Sequence, residues 1–120
     1  MAKLKKNMIE LVKNPEEVAK GAEVETEKYW TPSFLPLRVT VDAMQLYNDL
    51  VNDTKTSEID KFDRLAEFVA NDIYGGRFTK EDLYNRLHGP GGKDVLHEQL
   101  IFVAQGQQSD DTKNYMAKKN

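Results

Sequence analysis

The chain has 120 residues, which is the size of one domain. Its formal net charge is −3, a mild acidic surplus. Its residues are 39% hydrophobic and 31% charged, which allows one modest core and argues against a second. The acidic balance and the scattered basic residues argue against a general nucleic-acid binder, and the lack of cysteine excludes disulfides, thiol nucleophiles and thiolate metal sites.

Residues 1–36 are predicted to form an arm that is extended in part and compatible with a β-hairpin. The stretch "NMIELV" fits either a short strand or a helical turn, so residues 1–30 stay open between the two. "NPEEVAK" has the pattern of a helix start, with Asn14 as N-cap and Pro15 at the first helical position. "AEVETEKYW" alternates loosely between polar and apolar residues, as an edge strand does. Because the chain shows neither a signal peptide nor a membrane span, we expect a soluble cytosolic protein.

The segment "YWTPSFLPLR" is rich in both proline and large apolar residues. Pro32 and Pro36 favour extended backbone at the residues before them, so the segment is not expected to be helical. Its large apolar side chains either strap across the helices and complete the core, or stay partly exposed and receive an apolar partner. The candidate partner-binding residues are Tyr29, Trp30, Phe34, Leu35 and Leu37.

Four amphipathic helices are predicted after this segment, because apolar residues recur there every three or four positions. They cover about 37–52, 57–74, 79–87 and 93–105. Ser57 or Thr56 is suited to cap the second helix, and Thr79 the third. Gly75-Gly76 supplies a stop, since glycine accepts the left-handed conformation that closes a helix.

The C-terminal residues turn polar from Gly106 onwards, which indicates a flexible tail over 106–120. The predicted fold is therefore mainly α: a single small bundle of about four helices over 1–105, with the arm 1–36 at its N-terminus.

The stretch "HGPGGKD", residues 88–94, raises the question of a phosphate-binding loop. A Walker-type loop needs a glycine where this chain has Leu87 and a hydroxyl where it has Asp94, whose carboxylate would repel phosphate. The stretch also follows a predicted helix rather than a strand. We interpret it as the turn that ends one helix and leads into the next.

Catalytic, cofactor and metal sites are not indicated by the remaining polar residues. His88 and His97 are nine positions apart, which does not match a zinc-binding pattern. The serines lie in no nucleophile-elbow motif. The carboxylates of the second long helix alternate with Lys61 and Arg64, so they are interpreted as a solvated face with ion pairs along the helix. We therefore expect no enzyme, no cofactor and no metal.

The order of these motifs resembles the tail assembly chaperones of long-tailed bacteriophages that infect Gram-positive bacteria. The resemblance rests on the opening "KLKKNMIELV", the aromatic-x-Pro-x-Phe-x-Pro segment leading into a helix, the acidic helix that ends near "YGGRFT", and the short helix "TKEDLYNRL". It covers residues 3 to 105.

The resemblance implies a binding protein that keeps the tape measure protein soluble while a long non-contractile tail assembles, and that is absent from the finished virion. It also implies a longer form, made by ribosomal frameshifting, that recruits the tail tube protein. Lys118-Lys119-Asn120 can be encoded by a run of adenines, which is slippery for ribosomes, although paired lysines are common. Self-association is left open, and no nucleic-acid or membrane partner is expected.

Two other functions remain open from the residues alone. The first is a small helical regulatory adaptor of a phage or bacterium, which a basic recognition helix would favour. The second is a structural subunit of the virion. The acidic or neutral polar faces of the predicted helices do not favour the adaptor.

Overall fold

The structure is a computed structural model that describes residues 4–119, without the side chains of residues 110, 111, 118 and 119. Within this range the chain forms a two-stranded sheet and six helices. The elements are β1 (Met8–Val12), α1 (Pro15–Ala19), β2 (Thr26–Trp30), α2 (Leu37–Asn52), α3 (Glu58–Phe68, continued by a π-helical turn, Val69–Ile73), α4 (Lys80–Arg86), α5 (Gly92–Gln105) and α6 (Asp110–Lys119). The prediction of a mainly α fold is confirmed, with α1 and α6 in addition to the four predicted helices.

The N-terminal arm is an antiparallel hairpin, which decides between the two structures left open for "NMIELV". Met8 lies opposite Trp30, and Leu11 lies opposite Glu27. Asn14 is the N-cap residue of α1 and Pro15 its first residue, as predicted, but the Asn14 side chain makes no capping hydrogen bond. The Asn14 side chain instead bonds across the loop, where it donates to the carbonyl of Glu23 and accepts from the N–H of Glu25, both at 2.9 Å.

The core lies between the hairpin and the helices α2, α3 and α5. Ile9 and Leu11 of β1 join it from the sheet side. Its fully buried helical side chains include Ala43, Leu46, Leu65, Ala66, Ile73, Leu96, Leu100 and Val103. Burying each of the larger side chains contributes about 1.5–3 kcal/mol to the stability of the fold. This cluster therefore fixes how the helices are arranged.

Helix boundaries follow the predicted capping residues. The Ser57 hydroxyl accepts from the N–H of Asp60 at 3.1 Å, which begins α3. Thr79 and Asp82 form a capping box at α4, since each side chain accepts from the backbone N–H of the other. The Gly75-Gly76 pair has φ values of +62° and +79°, and ends the π-helical turn as predicted.

The C-terminal segment differs from the predicted flexible tail, because it contains α6. Ser109 and Thr112 are buried there, and both hydrogen-bond to Asn7, which is also buried. A polar composition favours exposure, but these polar side chains hydrogen-bond to one another in the interior. Residues 1–3 of the predicted arm and Asn120 of the predicted tail lie outside the described residues.

Candidate partner-binding surface

The five predicted contact residues do not form one surface. Tyr29 and Leu35 are half-buried and pack against the core. The ring of Tyr29 meets Phe78 edge-on at 5.0 Å, and its hydroxyl accepts a bond from Arg86 at 3.3 Å. Both contacts hold Tyr29 inside the molecule, as the core interpretation of this segment expects.

Trp30 is also half-buried, because the last helix covers part of it. Its ring lies 5.6 Å from the ring of Tyr115 in α6, in an edge-to-face arrangement. Phe34 and Leu37, in contrast, are 65% and 74% exposed. Of the five residues, these two are the most accessible to another protein.

Leu37 is the first residue of an exposed apolar row along α2. The row continues at spacings of four and three residues, and we name it the α2 stripe: Leu37, Val41, Met44, Asn48 and Val51. Its four apolar members are between 48% and 74% exposed. At 3.6 residues per turn, this spacing places all five side chains on one side of the helix.

The opposite side of α2 faces the core through Val39, Ala43, Leu46 and Leu50. The helix is therefore apolar on two sides, of which only one is covered within the described chain. Because Met44 and Val51 lie in the same run of apolar residues as the buried Ala43 and Leu46, the prediction of one amphipathic helix did not separate the exposed row from the buried one. The spacing 37-41-44-48-51 was the signal that could have revealed it.

A groove of about 530 Å³ opens on another part of the surface, between α3 and α5. We name it the α3 groove. Leu50, Phe62 and Leu65 supply apolar lining, and Tyr84 of α4 contributes its ring. The Tyr84 hydroxyl donates to Asp63 at 2.8 Å. Charged or polar residues and one exposed apolar residue complete the lining: Glu58, Ile59, Lys61, Lys93 and His97.

The electrostatics of this groove are mainly basic on the α5 side. Burial lowers the pKa of His97 below its ordinary value, and the nearby Lys93 lowers it further. Among the described residues, neither Lys93 nor His97 forms an ion pair. On the α3 side, Lys61 lies 3.7 Å from Glu58.

Ion pairs along α3 only partly match the predicted solvated face. Glu58 and Lys61 pair within the helix. Arg64 instead bonds Asp49 of α2 at 2.9 Å, and Asp63 bonds Lys80 of α4 at 3.0 Å. These side chains link helices, which sequence spacing on one helix cannot show.

Residues 87–91 form the predicted turn between α4 and α5, and Gly91 is the N-cap residue of α5, so Gly92, Lys93 and Asp94 already belong to that helix. Within residues 4–119, no three His, Asp or Glu side chains come close enough to hold a metal ion. None of the described helices is both long and apolar enough to span a bilayer.

A comparison against protein families identifies the family of this chain. A family model described as "Phage tail chaperone protein" matches residues 3–120. The chain belongs to this family. The match includes α6, which lies beyond the resemblance over 3–105, and the predicted Gram-positive host stays a prediction. Comparisons with curated proteins and with solved structures gave no match.

This tail chaperone thus presents two separate apolar surfaces. The α2 stripe lies on the outer side of α2, whereas the α3 groove takes only Leu50 from that helix, on its inner side. One surface is a convex helix face and the other a concave groove with a basic edge. They are suited to different partners.

Proposed function

We propose that this tail chaperone binds the tape measure protein through the α2 stripe and keeps it soluble while a long non-contractile tail assembles. The observation that carries the proposal is the exposed apolar row on the outer side of α2, with Leu37 at its start and Phe34 close before it in the chain. A chaperone of an aggregation-prone chain needs such an apolar face, and must leave it uncovered when the partner is absent.

The spacing of the stripe favours an α-helical partner. Apolar residues that alternate at four and three positions pack against a second helix with the same spacing, as in a coiled coil. Asn48 falls within the row and would favour a polar residue opposite it, which limits the positions at which a partner helix can align. A helical tape measure segment with an apolar stripe meets these requirements.

The strength of a single contact is expected to be low. Covering the four partly exposed apolar side chains contributes about 4–8 kcal/mol, whereas association costs about 4–15 kcal/mol. Many copies of the chaperone can still coat one long tape measure chain, because copies held close together raise the local concentration for each further contact. The net charge of −3 would help keep such a coated chain soluble.

The remaining expectations belong to the same proposal. The protein acts by binding, without catalysis or a cofactor, in the host cytoplasm, and is absent from the mature virion. A longer form made by frameshifting recruits the tail tube protein, and copies of the chaperone associate with one another. Mass spectrometry of purified particles tests the absence from the virion, since a structural subunit would be found there in stoichiometric amounts.

The decisive experiment is co-expression with the cognate tape measure protein. The double variant Leu37→Asp/Met44→Asp changes two exposed stripe residues, so circular dichroism should show unchanged helix content. We expect the soluble fraction of the tape measure protein to fall to its level without the chaperone. The matched control, Leu4→Asp/Val24→Asp, changes two exposed apolar residues outside the stripe and should solubilise like the wild type. Equal solubilisation by both double variants would contradict the proposed site.

A further inference from the structure

Ile59 is a large apolar side chain left 80% exposed in the first turn of α3. It lies at the edge of the α3 groove, and contributes to its lining. A protruding apolar side chain directly beside an apolar groove is an arrangement that can complement itself. In a two-fold contact, the side chain of each copy enters the groove of the other, and both grooves are filled by the same interaction.

The charges beside Ile59 also complement the groove. Glu58 precedes Ile59, and its side chain is 82% exposed, with one ion-pair contact, to Lys61 at 3.7 Å. The α5 side of the groove carries Lys93, which is exposed and has no ion pair among the described residues, and His97. An incoming Ile59 would therefore bring the carboxylate of Glu58 towards the basic α5 side of the groove. This attraction favours a second copy over a partner whose apolar side chain is flanked by basic residues.

We propose that two copies of the protein associate through this face, with Ile59 of each copy in the α3 groove of the other and Glu58 beside the partner's Lys93. A second copy is the occupant that the surface fits, because the protruding side chain, its carboxylate and the complementary groove lie together on one face.

This contact leaves the α2 stripe uncovered, because the groove uses only the inner side of α2, through Leu50. A dimer would thus present two stripes to one partner chain, and the second would bind at raised local concentration. The contact gives a surface to the self-association named in the proposed function, but it is separate from tape measure binding, so either can fail while the other holds.

Sedimentation equilibrium of the full chain over a concentration series up to about 1 mM tests the contact. We expect the apparent molecular mass of the wild type to rise from 13.8 kDa towards twice this value as its concentration rises. Ile59→Asp should raise the dissociation constant by more than about tenfold, since it places a charge in an apolar groove. This variant should fold normally, because Ile59 is exposed and acids are favourable in the first helical turn.

Two controls and a charge exchange make the result specific. Val24→Asp and Leu37→Asp change exposed apolar residues elsewhere, and should leave the dimer intact. Lys93→Glu should weaken the dimer, and Glu58→Lys added to it should restore association, because the pair is re-formed with its signs exchanged. A wild type that stays monomeric at every concentration would overturn the inference. So would a dimer that survives Ile59→Asp, or one that dissociates with Leu37→Asp, since the contact would then lie on another surface.

Discussion

Asn7 and Ser109 are separated by more than a hundred positions, yet the side-chain oxygen of Asn7 accepts a hydrogen bond from the backbone N–H of Ser109 at 2.9 Å. The same oxygen accepts from the Ser109 and Thr112 hydroxyls, at 3.1 and 2.6 Å. The Asn7 amide nitrogen donates to Gln99 of α5 at 3.1 Å. One buried side chain thereby connects β1 with α5 and α6, and no buried side-chain polar atom in the described residues lacks a partner.

Asn7→Ala should destabilise the protein by about 2–4 kcal/mol, because it leaves the buried N–H of Ser109 without a partner and removes bonds to the Ser109 and Thr112 hydroxyls and to Gln99. The free energy of unfolding, measured by urea denaturation, tests this value. Trp30 is the only tryptophan and packs against Tyr115 of α6, so its fluorescence should also shift to longer wavelength if α6 detaches.

The matched control for this change is Asn85→Ala, since Asn85 is exposed on α4. It should alter the free energy of unfolding by no more than about 0.5 kcal/mol. A stable Asn7→Ala protein with unchanged Trp30 fluorescence would show that the network does not hold α6 in place.

The turn between α4 and α5 offers a second prediction. Gly91 has φ of +84°, a conformation that costs residues with a Cβ about 1–2 kcal/mol. Gly89, two residues earlier, has no such φ, and an added Cβ would meet no atom within 4 Å at either glycine. Gly91→Ala should therefore destabilise through backbone strain alone, while Gly89→Ala should be neutral or stabilise by about 0.4–1 kcal/mol.

Thermal denaturation of the two variants measures this difference directly. If both alanine variants had equal melting temperatures, the left-handed conformation at Gly91 would not be required for α5 to begin there.

The elements that the sequence predicted well are those with local signals. Ser57 and Thr79 cap their helices as predicted, because capping depends on residues three positions apart. Asn14 occupies the predicted N-cap position, but its side chain bonds Glu23 and Glu25, which lie in a loop that forms only when the hairpin closes. Local patterns predict helix boundaries, but not which of several local and distant partners a side chain selects.

The candidate surface was harder to predict for a related reason. The sequence shows that Leu37 and Trp30 are apolar, but burial depends on which element covers each of them. Trp30 is partly covered by α6, a helix that its polar composition did not predict, whereas Leu37 lies on the uncovered side of α2. Exposure is a property of the assembled fold, and only the regular spacing of the α2 stripe was present in the sequence.

Arg86 provides a third prediction, since it connects α4 with the hairpin. Its guanidinium donates to the carbonyl of Val12 at 2.8 Å and to Glu27 at 2.7 Å, and its side chain is largely buried. Lysine has one ammonium group and cannot reach both acceptors with the same planar geometry. Arg86→Lys should therefore lower the free energy of unfolding by about 1–2 kcal/mol.

The control for this variant is Arg77→Lys, because Arg77 is exposed and forms no ion pair within the described residues. The midpoint of urea denaturation of Arg77→Lys should be close to that of the wild type. Equal midpoints for both lysine variants would mean that the bonds to the hairpin contribute little to stability.

His97 gives the fourth prediction, on the pH dependence of stability. Burial, with Lys93 as a second cause, holds the pKa of His97 in the folded protein below its ordinary 6.5. The unfolded chain therefore binds a proton at a higher pH than the folded chain does, so acidification favours unfolding through this group. Its contribution is fully present above a pH of about 6.5 and is lost as the pH falls below that value.

Urea denaturation at pH values of about 7.5 and 5.5 measures this contribution. The loss of stability between the two should be smaller in His97→Gln than in the wild type, because glutamine cannot take up the proton. His88→Gln is the matched control, since His88 is exposed, and it should keep the loss seen in the wild type. If His97→Gln and the wild type lost equal stability, His97 would be accessible to water in the folded protein, and the α3 groove would be more open than its lining indicates.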